Sequence, residues 1–150
     1  MFDAISRFFS NPKITPQAPL DTKLAVATLL VHLMDVDGQS SPEERVTVSN
    51  VLREHFDLDT NQLGELINAA HDKDNEAVDF FQFTSVLVAL EMEQRIQIIG
   101  LMWQVVFADG KNHEMEDNMV WRIAELIGVS ARERTKLRKT FKQDSQTTNP

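Results

Sequence analysis

Two pairs of carboxylates stand at the same spacing in two distant parts of the chain. Each pair has an aspartate followed by glycine and a glutamate seven positions after the aspartate: Asp37 and Glu44, then Asp109 and Glu116. Carboxylate oxygens are hard ligands of the kind that Ca²⁺, Mg²⁺ and Mn²⁺ prefer. If folding brought both pairs together, the carboxylates would repel one another unless a cation neutralised them. A divalent-cation site is therefore the first chemical hypothesis.

The same carboxylates also have a purely structural explanation. An aspartate before glycine is common in turns, and a glutamate in the first turn of a helix accepts hydrogen bonds from backbone N–H groups. Glu44 follows Ser41-Pro42 in the order of a capping box. His113 lies close to Asp109 in the sequence and could add a nitrogen ligand, which would admit Zn²⁺; a surface histidine at a helix start is the simpler interpretation. The sequence leaves both explanations open.

Each pair belongs to a longer internal repeat. Residues 29–44 align with residues 101–116, and the apolar residues that precede the two aspartates coincide in this alignment. A repeat of this kind usually means that one supersecondary unit is used twice. We therefore expect two pseudo-symmetric helix–turn–helix halves, with an Asp-Gly turn at the corresponding position of each.

The elements that would position these residues are all predicted to be helices. Apolar residues recur at helical spacing after residue 20, and no segment alternates convincingly between apolar and polar residues. Capping patterns mark helix starts at Asp21, 41–44, 59–62, 79–82 and 130–133. The polar run 71–76 is predicted to be a loop, and Gly128 to end the penultimate helix. We predict an all-α, single-domain bundle of about seven helices.

The chain is predicted to have three segments, at residues 1–19, 20–142 and 143–150. The first joins a proline-containing linker to a short amphipathic helix with four apolar residues: Phe2, Ile5, Phe8 and Phe9. That helix is expected to pack on the domain as a strap, or else to contact a membrane surface or a partner. The second segment is the helical domain, and the third is a disordered tail.

Composition narrows the classes of function. The chain has 150 residues, of which 42% are hydrophobic, and a formal net charge of −8. This charge argues against nucleic acid as a partner and favours cations or basic surfaces. The absence of cysteine excludes disulfides, thiolate metal sites and cysteine nucleophiles. We find neither a signal peptide nor a bilayer-length apolar stretch, so we expect a cytoplasmic protein.

Other chemical signals are weaker. There is no glycine-rich phosphate loop and no Gly-x-Ser-x-Gly motif. His71-Asp72 is the kind of pair that metal phosphohydrolases use, but it falls in the predicted loop. Trp103 and Trp121 lie on apolar helix faces and are expected in the core. The basic run 132–142 is expected to be a solvated face, or a contact with another subunit or with anionic lipid.

The second half of the chain resembles a known family. The string Ala108-Asp109-Gly110, the glutamate seven positions after the aspartate, and residues 122–130 (RIAELIGVS) resemble the TerB-like family associated with tellurite resistance. Residues 79–95 (DFFQFTSVLVALEMEQR) are similar to the middle helices of that family, and the similarity covers roughly residues 20–141.

The resemblance implies a helical bundle of two similar halves in a cytoplasmic, bacterial stress-response setting. It also implies an acidic cluster that holds a metal ion. Transferred by position, the ligands are Asp37, Glu44, Asp109 and Glu116, and the cofactor is a divalent cation, either Mg²⁺, Ca²⁺, Mn²⁺ or Zn²⁺.

Three functions remain open at this point. We expect a non-enzymatic interaction domain with protein partners or a second copy of the chain. The alternatives are a metal-dependent, hydrolase-type enzyme that uses the same carboxylates, and a purely structural adaptor for a membrane or partner. A substrate-sized pocket over the acidic turns would favour the enzyme, and a closed or ion-filled acidic patch would favour the binding domain.

Overall fold

The computed structural model describes residues 21–36, 41–77, 79–108 and 114–147, with side chains as far as residue 142. This part of the chain contains seven α-helices and no strand. In chain order they are α1 (Thr22–Asp35), α2 (Pro42–Phe56), α3 (Thr60–Glu76), α4 (Phe81–Leu87), α5 (Met92–Val106), α6 (Glu114–Leu126) and α7 (Ala131–Thr147). The predicted all-α bundle is confirmed.

Helices α1 and α5 form the centre of the bundle. In α1, every side chain from Ala25 to Val31 is buried, and so are Leu33 and Met34. A helix that is apolar on all sides must be surrounded by other elements. Accordingly, α1 packs against α2, α3, α4, α5 and α6, while α5 packs against α1, α2, α6 and α7. The two central helices are therefore those that precede the two Asp-Gly motifs in the sequence.

Side-chain caps define the helix starts much as the sequence predicts. Asp21 Oδ1 accepts a hydrogen bond of 2.8 Å from the Leu24 N–H and so begins α1. Ser41 caps α2 in a complete capping box with Glu44, and α3 begins with an equivalent box. Since these caps satisfy backbone donors that the helix leaves free, they fix where each helix begins.

The predicted loop at residues 71–76 is wrong, because α3 continues through Glu76. The run lacks glycine and proline, so nothing in its backbone opposes a helix. Most of its residues are exposed to solvent, and Asp74 contacts the bundle through a polar contact with His32 of α1 instead of an apolar one. The start of α4 also differs from the predicted capping box. Asp79 accepts from the Phe81 N–H, but the N-cap residue Phe80 makes no side-chain cap.

The two repeated units have similar helix boundaries. Helix α1 ends at Asp35 and α2 begins at Pro42, while α5 ends at Val106 and α6 begins at Glu114. The residues between each pair of helices, including Asp37 and Asp109, lie almost entirely outside the described part of the chain. Pseudo-symmetry of the two halves therefore stays a prediction.

Of the two predicted end segments, only residues 143–147 are described. The predicted N-terminal strap and its four apolar residues lie outside the described residues. Helix α7 reaches Thr147, into the segment predicted to be a tail. The division into three segments stays a prediction. No helix of the described ranges is both long and apolar enough to cross a membrane.

Candidate functional site

The two glutamates of the repeated motif are both buried. The exposed fraction of Glu44 is 1% and that of Glu116 is 0%. The other buried polar side chains in the described ranges are two threonines, Thr28 and Thr84. A glutamate is seldom buried this completely unless it is paired or binds a metal. The first turns of α2 and α6 therefore each carry an unusual group, at corresponding positions of the repeat.

Helix capping accounts for only one of the two carboxylate oxygens of Glu44. Its Oε1 accepts a hydrogen bond of 2.9 Å from the Ser41 N–H, while Ser41 Oγ accepts one of 3.0 Å from the Glu44 N–H. The other oxygen, Oε2, is also buried and has no hydrogen-bond partner among the described residues. A buried acceptor without a donor is energetically unfavourable, so this oxygen calls for a further ligand.

The first turn of α6 is strongly acidic. It contains Glu114, Glu116 and Asp117, and a helix N-terminus favours negative charge. Asp117 is engaged by α7, because its Oδ2 accepts hydrogen bonds from Arg138 Nη2 at 2.8 Å and Nε at 3.2 Å. Glu116, next to it, is directed into the protein. The two neighbouring acids therefore do different things, and only the buried one matches Glu44.

The helices that flank the two acidic turns pack on one another. Helix α1 contacts both α5 and α6, and α2 contacts α5. The remaining predicted ligands, Asp37 and Asp109, lie outside the described residues, and so does His113. Within the ranges that are described, no group of three or more metal-ligating side chains occurs. The convergence of all four carboxylates on one ion therefore stays a prediction.

Aromatic and basic side chains join α7 to the second half of the bundle. Trp103 is fully buried, which confirms its predicted place in the core. The guanidinium of Arg138 lies 5.5 Å from the ring centres of Trp103 and Phe107, and that of Arg134 lies 5.0 Å from the ring centre of Trp121. The basic run is therefore not uniformly a solvated face, because two of its arginines point inward.

The structure also contains a histidine–aspartate pair that the sequence analysis missed. His32 Nδ1 and Asp74 Oδ1 are 2.7 Å apart, although the residues are separated by 42 positions. The predicted pair His71-Asp72 lies instead on an exposed face of α3. A sequence signal did exist, since His32 interrupts an otherwise apolar helix. Burial lowers the pKa of another histidine, His55, at the end of α2 opposite to Glu44.

Comparison with known proteins identifies a family. A family model described as "Tellurite resistance protein TerB" matches residues 23–139. This range includes both acidic turns and extends from the first turn of α1 into α7. No curated protein and no solved structure matches the chain significantly.

Proposed function

The chain belongs to the TerB family of tellurite resistance proteins, and we propose that it is a non-enzymatic stress-response interaction domain that binds a divalent cation through its two acidic turns. The proposed ligands are Asp37 and Glu44 from the first turn and Asp109 and Glu116 from the second. The ion would supply a positive charge beside the buried carboxylate of Glu44.

The observation that carries this proposal is the buried Oε2 of Glu44, which has no hydrogen-bond donor among the described residues. This oxygen is a hard ligand, and the capping box engages only the other oxygen of the same carboxylate. Mg²⁺, Ca²⁺ and Mn²⁺ suit such oxygens, and His113 would extend the choice to Zn²⁺. The chemistry of this donor therefore supports a divalent cation as the proposed ligand.

Binding without catalysis is favoured by the position of a cavity among the described residues. A cavity of about 520 Å³ is large enough for a small molecule, but neither Glu44 nor Glu116 lines it. A hydrolase that used these carboxylates would need its substrate beside them. We therefore keep the enzyme as the alternative. We also propose a cytoplasmic location, and a protein or a second copy of the chain as the partner. The net charge of −8 argues against nucleic acid as a partner.

Calorimetry on the full chain, freed of metal with a chelator, tests the cation site. We expect saturable heat with at least one of Mg²⁺, Ca²⁺, Mn²⁺ and Zn²⁺, and an affinity at least tenfold weaker in Glu44→Gln. Glutamine can still accept the Ser41 hydrogen bond, so this variant keeps the helix cap and removes the charge. Glu43→Gln is the matched control, because Glu43 is an exposed acid in the same turn.

Two results would overturn the proposal. The absence of heat with all four ions would remove the cation site itself. Equal affinity in Glu44→Gln and Glu43→Gln would show that any bound ion is held by surface charge and not by the buried carboxylate.

A further inference from the structure

A cleft at the end of α1 combines charged and aromatic side chains. It has a volume of about 520 Å³ and lies between the ends of α1 and α3, the start of α4 and the last turns of α6. Its lining residues include His32, Asp74, Phe80, Phe81, Arg122 and Leu126. Neither Glu44 nor Glu116, the two described glutamates of the proposed cation site, lines this cleft.

The imidazole of His32 is held in place from two sides. Asp74 binds its Nδ1 at 2.7 Å, and the ring meets Phe80 edge-on with 4.8 Å between ring centres. The side chain of His32 is 33% exposed and that of Asp74 is 17% exposed, so the pair lies at the cleft wall. Because Asp74 occupies Nδ1, Nε2 is the ring nitrogen left for a ligand.

Arg122 supplies an uncommitted positive charge at the same cleft. Its guanidinium lines the cavity and makes no hydrogen bond or ion pair with the residues that the structure describes. Two carboxylates also line the cleft: Asp74 pairs with His32, and one oxygen of Asp79 accepts a hydrogen bond from the Phe81 N–H at 2.9 Å. A guanidinium offers a planar fork of donors that matches carboxylate and phosphate oxygens.

The rest of the wall is apolar and open to solvent. Phe81 is 70% exposed and Leu126 is 45% exposed, although both are large apolar residues. Exposed apolar side chains beside a few fixed polar groups, in a cavity of several hundred Å³, are typical of sites for small molecules. An aromatic ring beside Phe81 would gain both apolar burial and ring contact.

We propose that this cleft binds a small aromatic anion. Its carboxylate or phosphate group is held by Arg122, and its ring packs between Phe81 and Leu126. A second hydrogen bond comes from Nε2–H of His32 in the imidazolium form, whose Nδ1–H donates to Asp74. His32 is positioned for this role by Asp74. The site thus gives the domain a second ligand, of opposite charge to the cation at the acidic turns.

Nuclear magnetic resonance titration of the full chain tests the proposal with three probes: 2-naphthoate, 2-naphthyl phosphate and neutral 2-naphthylmethanol. We expect saturable amide shifts around the cleft with at least one anion, and binding at least tenfold weaker with the neutral probe. The tighter of the two anions identifies the preferred head group. Arg122→Gln should weaken binding of the anion at least tenfold, and Phe81→Ser should weaken all three probes.

Arg132→Gln is the matched control, since Arg132 is an exposed arginine on α7 that does not line the cleft. Unchanged amide spectra outside the cleft will verify that each variant is folded. Three results would each overturn the proposal. These are equal anion binding by the Arg122→Gln and Arg132→Gln variants, binding of the neutral probe as tight as that of the anions, and amide shifts that do not saturate. None of these results depends on the cation site, so the two proposals fail separately.

Discussion

At the scale of single residues, burial separates Glu44 from an ordinary capping residue. Gln62 closes the equivalent capping box of α3 and its side chain remains exposed. A cap can therefore be made at the protein surface, and capping alone does not require that Glu44 be buried. Glu44 could make the same cap from a surface position, yet its side chain is buried. This burial indicates a second role, which the proposed cation would provide.

Two glycines, one within a helix and one just after a helix, should respond to alanine in opposite directions. Gly64 lies within α3, and an added Cβ would meet no atom within 4 Å. Gly64→Ala should stabilise the protein by about 0.5–1 kcal/mol, since alanine loses less backbone entropy in a helix. Gly128 has φ +78°, and its added Cβ would lie 3.3 Å from Arg95 Nη1. Gly128→Ala should cost about 1–2 kcal/mol.

Urea unfolding of the two glycine variants, followed by circular dichroism, measures both effects. Each variant is the control for the other, because the chemical change is the same and only the backbone conformation differs. If Gly128→Ala left the midpoint unchanged or raised it, the left-handed turn at the end of α6 would not be the reason that glycine is required at residue 128.

At the scale of elements, Arg138 is expected to be the main attachment of α7 to α6. It binds Asp117 with two nitrogens and lies over two aromatic rings, and the two side chains are 26% and 17% exposed. Arg138→Gln removes the charge and leaves Asp117 partly buried without its partner. We expect a loss of about 1–3 kcal/mol in the free energy of unfolding.

Arg132→Gln is the comparison for this variant too, because an exposed arginine without such contacts should change stability by less than about 0.5 kcal/mol. Hydrogen exchange of the α7 amides adds a local readout, since a detached helix exchanges faster than the core. If both variants unfolded at the same urea concentration with the same α7 exchange, the attachment of α7 to α6 would rest on other contacts, such as that of Arg134 with Trp121.

Helix starts could be predicted from the sequence to within a residue or two, because a cap is a local interaction. Ser41 and Glu44 are three positions apart, and Pro42 between them cannot sit in a helix interior. The end of α3 could not be predicted in this way. Its last turns are held by Asp74 against His32, and a partner 42 positions away is invisible to a local pattern.

At the scale of the whole molecule, the two candidate sites differ in the same way: one follows from a local sequence pattern and the other from long-range packing. The acidic pairs could be found because the chain repeats them at equal spacing, so the pattern itself identified Glu44 and Glu116. The cleft is built from α1, α3, α4 and α6, and its polar residues share no spacing. Its composition depends on how α3 and α6 pack around α1, which is set by the complete group of apolar contacts and not by a motif.

Net charge acts on the whole molecule and must be separated from a specific ion site. With a formal charge of −8, the folded chain repels itself, and monovalent salt screens that repulsion. We expect the thermal midpoint to rise modestly with NaCl, and to rise by a similar amount in the wild type and in Glu44→Gln. This shared increase measures screening alone.

A divalent ion that binds the folded state should add a further increase when screening is already present. At a concentration one hundred times its dissociation constant, the ion stabilises the fold by about 2.7 kcal/mol. The measurement is made in roughly 200 mM NaCl, where the Debye length is below about 10 Å. There the additional rise in the thermal midpoint should appear in the wild type and in Glu43→Gln and be largely lost in Glu44→Gln. An equal increment in all three proteins would mean that divalent ions act on the overall charge, because only a site that uses the buried oxygen can distinguish two neighbouring glutamates.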